Sequence, residues 1–125
     1  MTVLLNERIR GVRLHRRLKS KELARLANVS QGEISLLEKK LRVPKIDTLQ
    51  KIASALEVSS SFLLGEEDSE LPIPAALARQ SLRLFLRDNS VIDAETEYLW
   101  RVCALDSAPQ TRQTWKDLLA NISVR

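Results

Sequence analysis

Leu5, Ile9 and Val12 recur at i, i+4 and i+7, the spacing of one helical face, and predict an amphipathic first helix. Arg8, Arg10, Arg13, Arg16 and Arg17 occupy its other positions. Leu23 and Ala27, one turn apart, predict a short second helix, and Asn28-Val29-Ser30 reads as a compact break after it. Ser30 carries the hydroxyl with which an N-cap accepts from free backbone N–H groups, so a third helix opens there with Ile34 and Leu37 turned inward. The basic run Lys39-Lys40-Leu41-Arg42 leads to Pro44, which lacks a backbone donor and prevents simple helical continuation. Leu49, Ile52, Ala53 and Leu56 share one face of a fourth helix. Ser59 can cap a short fifth helix holding Phe62 and Leu63, and Gly65 suits its C-terminal end.

The pattern then changes. Glu66-Glu67-Asp68-Ser69-Glu70 is acidic and Leu71-Pro72-Ile73-Pro74 reads as stiff and extended, so 65–74 is expected to be a linker. Ala78, Leu82 and Phe85 predict a sixth helix. Asp93 can cap a seventh, with Glu95 and Glu97 near its start and Leu99, Val102 and Cys103 on its apolar face. Asp106 to Gln110 forms a loop containing Pro109, and Trp115, Leu118, Leu119 and Ile122 make the apolar stripe of a last helix. The fold class is therefore all-α: a five-helix domain over 1–64, a linker over 65–74 and a small three-helix domain over 75–125.

With 125 residues and 44% hydrophobic content the chain can bury a core, and three Gly and four Pro favour long helices over a turn-rich β fold. No window resembles a membrane span or a signal peptide, so a cytoplasmic protein is expected. The single Cys103 permits neither an internal disulfide nor a cysteine-based metal site, and His15 has no second ligand nearby. No nucleophile–base pair, Gly-rich phosphate loop or HExxH motif occurs. An enzyme, a metal and a cofactor are not expected.

Charge divides the chain. Residues 1–64 hold thirteen Lys/Arg and six Asp/Glu, a net +7, whereas 65–125 hold seven and ten, a net −3. The basic half suits a polyanion. The segment Leu18 to Glu38 supplies the geometry: two short helices and a tight turn, with Ala24 at the close approach and Val29 plugging the turn, project the third helix into a major groove. Residues near the start of that helix reach base edges, here Gln31, Gly32, Glu33, Ser35 and Leu36. Gln pairs with adenine N6 and N7, Glu accepts from cytosine N4, Gly leaves room and Leu meets a thymine methyl. Lys39, Lys40, Arg42 and Lys45 suit phosphates, as do Ser20, Lys21 and Ser30 at the openings of the second and third helices.

The run Leu18, Leu23-Ala24, Ala27, Val29-Ser30-Gln31, Ile34-Ser35, Glu38, Pro44, Thr48-Leu49, Ile52-Ala53, Leu56, Val58-Ser59 and Leu63-Leu64 resembles the Xre-type helix-turn-helix family of phage and bacterial repressors. The resemblance extends from Leu5 to Gly65 and implies a lambda-repressor-like DNA-binding domain. It also implies an ion pair between Arg13 and Glu38 that locks the first and third helices together. Three departures stand out. Lys19-Ser20 replaces the usual Ser/Thr-Gln; Arg17 and Lys40 replace two common Gly residues, so those helix ends are expected to differ; and Glu33 turns a negative charge toward DNA.

One such module contacts few base pairs, and operators commonly need two, one helical turn apart. A homodimer on a palindromic operator is therefore expected, with Phe85, Leu99, Trp100, Val102, Trp115, Leu118, Leu119 and Ile122 at the seam, because residues 75–125 barely enclose a private core. Acidic residues before Tyr98-Leu99-Trp100-Arg101, then Leu105, Pro109 and Trp115, resemble the C-terminal domain of the DdrO repressors of Deinococcus. That resemblance implies a DNA-damage or stress repressor dimerised by this half and inactivated by a partner zinc metalloprotease, the cut falling near Leu105-Asp106. A different reading fits the same layout: an antitoxin-like autoregulator whose C-terminal half neutralises a partner protein.

Overall fold

The computed structural model describes the backbone of residues 5–105 and 108–123 and the side chains of 5–105 and 108–121. The described residues form eight α-helices and no strand: α1 (Leu5–His15), α2 (Ser20–Ala27), α3 (Gln31–Glu38), α4 (Ile46–Leu56), α5 (Ser60–Leu63), α6 (Ile73–Asp88), α7 (Asp93–Cys103) and α8 (Arg112–Ser123). They fall into two compact units, Met1–Ile73 and Pro74–Arg125.

In the first unit α1 packs on α3 and α5, α2 on α3 and α4, and α4 on α5. The apolar stripes meet in one core: Ile9 and Val12 of α1, Leu23, Ala24 and Ala27 of α2, Ile34 and Leu37 of α3, and Leu49, Ile52, Ala53 and Leu56 of α4 are all buried. Phe62 and Leu63 close it from α5. A fully buried side chain of this size contributes about 1.5–3 kcal/mol. Ser59 caps α5 by accepting from Phe62 N at 3.0 Å, and Gly65, at φ 82°, ends that turn.

Arg8 of α1 and Arg16 in the turn just after it, both placed on the polar side by the pattern, are taken into the unit. Arg8 is 5% exposed; its guanidinium lies 4.1 Å above the Phe62 ring and Nη2 donates to the Asp68 carbonyl at 2.9 Å. The ring face and the carbonyl compensate the charge in part, while Nε stays buried without a hydrogen-bond partner among the described residues. Arg16 is half-buried and its Nε donates to the Leu56 carbonyl at 3.2 Å. Burial lowers the pKa of both groups from its ordinary value, though an arginine starts high enough to stay protonated.

Within 65–74, expected to be a linker, the stiff extended form expected of 71–74 gives way to helix at Ile73. Residues 65–71 run through turns and bends held to the first unit by the Arg8–Asp68 bond and by Ser59 Oγ donating to Glu67 Oε1 at 2.8 Å. α6 already begins at Ile73, with Pro74 in its first turn, where a missing N–H costs no helical bond.

The second unit builds its own core from Ala78, Leu82 and Phe85 of α6, Leu99 and Cys103 of α7 and Trp115 of α8. Trp115 is fully buried, and its Nε1 donates at 2.8 Å to Ser81 Oγ, whose hydroxyl donates to the Ala78 carbonyl at 2.9 Å. This corrects the expected seam. Phe85, Leu99 and Trp115 are interior to one copy, because one indole and one phenyl ring supply the volume that a small helical unit otherwise lacks. Trp100, Val102, Leu118 and Leu119 are only partly buried against that core, and the side chain of Ile122 lies outside the described ones.

A second correction concerns α7. Its N-cap position is Ile92, without a side-chain cap; Asp93 is the first helical residue and acts with Glu95 on the helix dipole. At α8 the cap is reciprocal, with Thr114 N donating to Thr111 Oγ1 and Thr111 N to Thr114 Oγ1, each at 3.2 Å. Among the described residues no helix is long and apolar enough to cross a membrane.

Candidate nucleic-acid interface

The α2–α3 turn is set by backbone bonds. Asn28 takes the left-handed conformation at φ 56°, which its short polar side chain tolerates, and Val29 N donates back to the Ala24 carbonyl at 3.0 Å. The chain then re-enters a helix at once: Ser30 is extended and its Oγ accepts from Glu33 N at 3.1 Å. Ile34 and Leu37 anchor α3 in the core, so its opening turn faces outward.

Gln31 and Gly32 are exposed there, and Glu33, Ser35 and Leu36 are half-buried on the same helix. A Cβ on Gly32 would meet nothing nearer than Ser30 Oγ at 3.9 Å, so the protein's own packing does not require glycine at this position. Lys39, Lys40, Arg42 and Lys45 are exposed along the end of α3 and the loop to α4, Ser30 and Lys21 are exposed at the helix openings, and Ser20 is half-buried. At the start of α2 Lys19 has no acceptor to offer as a cap, but Glu22 Oε1 accepts from Lys19 N at 3.1 Å. The first-turn N–H groups that a helix leaves without an intrahelical acceptor are donors that an anion can use.

Arg13 and Glu38 meet in a two-pronged ion pair, Nε to Oε2 at 2.7 Å and Nη2 to Oε1 at 2.8 Å. Glu33 also has a basic neighbour: Arg42 Nη1 donates to its Oε2 at 2.6 Å. The negative charge that stood alone in the sequence is therefore compensated. The helix ends at Arg17 and Lys40, expected to differ for want of glycine, keep the left-handed backbone at φ 59° and 62°. Leu18 N donates to the Arg13 carbonyl and Leu41 N to the Leu36 carbonyl, which hold both ends in the geometry that a glycine would adopt without strain.

Sequence reasoning missed one feature of this face. Leu41, Val43 and Ile46 are 70%, 87% and 77% exposed around Pro44, interleaved with Arg42 and Lys45. The signal was present for Leu41 and Val43, which precede α4 and lie on no helical stripe, whereas Ile46 sits at i, i+3 and i+7 with Leu49 and Ala53 and reads as core; apolar residues between basic ones suit sugar and methyl surface.

Residues 9–63 match the helix-turn-helix family. The immunity repressor protein of Bacillus phage phi105 is 36% identical over 67 residues, which cover 54% of this chain and 45% of the phage protein, so this chain spans less than half of that relative. A solved SinR protein/SinI protein complex contains a chain that aligns with a TM-score of 0.51 and 26% identity over 78% of this chain and 97% of that one. The exposed opening of α3, the cap at Ser30 and the basic loop after Glu38 lie inside the matched segment or at its core. Residues 9–63 thus form a helix-turn-helix segment that is similar to the DNA-binding domains of repressors of the Xre type.

Proposed function

We propose that this chain is a transcriptional repressor that reads double-stranded DNA as a homodimer on palindromic operators. The observation that carries the proposal is the state of α3. Its rear is bolted to α1 by Arg13–Glu38, its core face is filled by Ile34 and Leu37, and its leading turn presents Gln31 and Gly32 to the outside. A rigid helix exposed at its N-terminal end, followed by Lys39, Lys40 and Lys45, has the form that major-groove recognition requires. The base contacts assigned are Gln31, Gly32, Glu33, Ser35 and Leu36. The dimer surface assigned is the partly exposed set Trp100, Val102, Leu118 and Leu119.

Selection of bound duplexes from a random pool, followed by sedimentation of the full chain alone and on a selected duplex, tests this reading. Inverted repeats with half-sites one helical turn apart, bound by two copies, are expected. Absence of any enriched sequence at moderate ionic strength would overturn it.

Relief of repression is assigned to cleavage between α7 and α8 by a zinc metalloprotease. Leu105 is 59% exposed there, its neighbour Asp106 lies outside the described residues, and a cut removes Trp115 from the core of the second unit. Incubation of the chain with the protease, read by mass, tests the bond; cleavage elsewhere or none would remove this part of the proposal.

A further inference from the structure

We infer that Arg42 is a positioning residue for base recognition, holding the Glu33 carboxylate toward a cytosine of the half-site rather than gripping a phosphate. The inference rests on the proposed DNA reading and deepens it. Glu33 is the third residue of α3, the position from which a Glu ordinarily reaches back to the N-cap N–H. α2 follows that rule, with Glu22 accepting from Lys19 N at 3.1 Å. α3 keeps only half of it. Ser30 Oγ accepts from Glu33 N at 3.1 Å, but the Glu33 carboxylate is diverted across nine residues of chain to Arg42 Nη1 at 2.6 Å.

That diversion has electrostatic consequences. A lone carboxylate in the leading turn would repel approaching phosphates; paired, it is neutralised. The Glu33 side chain is 19% exposed and that of Arg42 55%, and the short ion pair restricts the rotamers of the carboxylate. Oε2 carries the bond to Arg42, and Oε1 remains to accept. Two bases offer an amine in the major groove. Adenine sets its N7 acceptor beside N6, which repels a carboxylate, whereas cytosine N4 has no acceptor of its own base beside it. A fixed carboxylate in this turn therefore selects cytosine. Glu33 occupies only Nη1 of Arg42, so the exposed guanidinium keeps donors that a phosphate could also take, and the two roles are separated by how Arg42 variants change base preference and salt slope.

The test measures affinity of the full chain for a selected operator in which each half-site position is varied through all four bases. Wild type, Arg42→Gln, Arg42→Lys, Glu33→Gln and the double variant Arg42→Gln/Glu33→Gln are compared, with the melting temperature of each as a control for folding. Wild type is expected to prefer cytosine at one position per half-site by roughly ten-fold or more. Arg42→Gln flattens that preference and leaves the other positions and the salt slope intact, and Arg42→Lys restores part of it. Glu33→Gln moves the preference toward adenine, the base that a Gln pairs, and in that background Arg42→Gln changes it no further. The inference is overturned if Arg42→Gln weakens all sequences alike with a salt slope reduced by about one, the signature of a phosphate contact. It is also overturned if Glu33→Gln alters no base preference. Palindromes selected with no response to either residue sink the inference alone; no selection of any duplex by wild type sinks the proposed function with it.

Discussion

Arg13 and Glu38 tie α1 to the last residue of α3, and the same guanidinium closes the α1–α2 turn by donating from Nη1 to the Leu18 carbonyl at 2.9 Å. Asn6 Nδ2 adds a bond to the Glu38 carbonyl at 3.3 Å. α3 is thus held at its rear while its front stays open. The two side chains are only 12% and 10% exposed, so neither can be removed without leaving the other charge in a place that water reaches poorly.

Glu38→Ala or Arg13→Ala should therefore cost about 2–4 kcal/mol in denaturant unfolding of the first unit, well above an exposed ion pair. Replacing both partners with apolar residues of similar volume, Arg13→Met with Glu38→Leu, should recover most of that loss. If either single variant unfolds within a few tenths of a kcal/mol of wild type, the pair is a bystander and α3 is fixed by Ile34 and Leu37 alone.

The contacts on the front of α3 separate by how they fail. Gln31→Ala should relax base preference at one position by about 1–3 kcal/mol. Lys39→Ala should weaken every sequence equally and lower the log–log salt slope by about one. Gly32→Ala is the sharpest of the three. Its Cβ meets nothing in the protein closer than 3.9 Å, so the folded chain should be no less stable than wild type while operator affinity falls. Tight binding retained by Gly32→Ala would mean that DNA does not approach the backbone there.

Much of this was legible in the chain because the first unit obeys local rules. The stripes of α1 to α4 bury the residues that their spacing selects, and Ser30 and Ser59 cap where a hydroxyl precedes an apolar run. What was not legible depends on partners distant in sequence. Arg8 reads as surface until Phe62 arrives beneath its guanidinium, and Glu33 reads as an unpaired charge until the loop returns Arg42. The second unit misled for another reason. An apolar stripe states that a face is covered but not by what, so Phe85, Leu99 and Trp115 fitted a seam between copies as well as they fit one private core. At Arg17 and Lys40 side-chain identity pointed away from the left-handed turn that the backbone bonds nonetheless enforce.

Ser81 is the polar element on which the core of the second unit depends. Its Oγ accepts from the Trp115 indole and donates to the Ala78 carbonyl, and it is fully buried. Ser81→Ala leaves the indole N–H without an acceptor and should cost about 1–3 kcal/mol, followed by tryptophan fluorescence during urea unfolding. Ser81→Cys keeps a weak acceptor at similar volume and should lie between the two. Equal stability of Ser81→Ala and wild type would show that the bond contributes nothing net.

Truncation after Leu105 tests the second unit as a whole. It deletes α8, and with it the fully buried Trp115 around which α6 and α7 pack. Removing a buried aromatic side chain alone costs about 3–5 kcal/mol, comparable with the entire stability of so small a core. The remaining α6 and α7 should therefore lose their structure, and circular dichroism should record a helical loss greater than the 12 residues of α8. The first unit keeps its own core and should retain weak, salt-sensitive binding to a single half-site, while linked binding to the full operator disappears. A truncated chain that loses only the signal of α8 and still sediments as a dimer would place the association surface on α6 and α7, and would remove the physical basis for relief by cleavage.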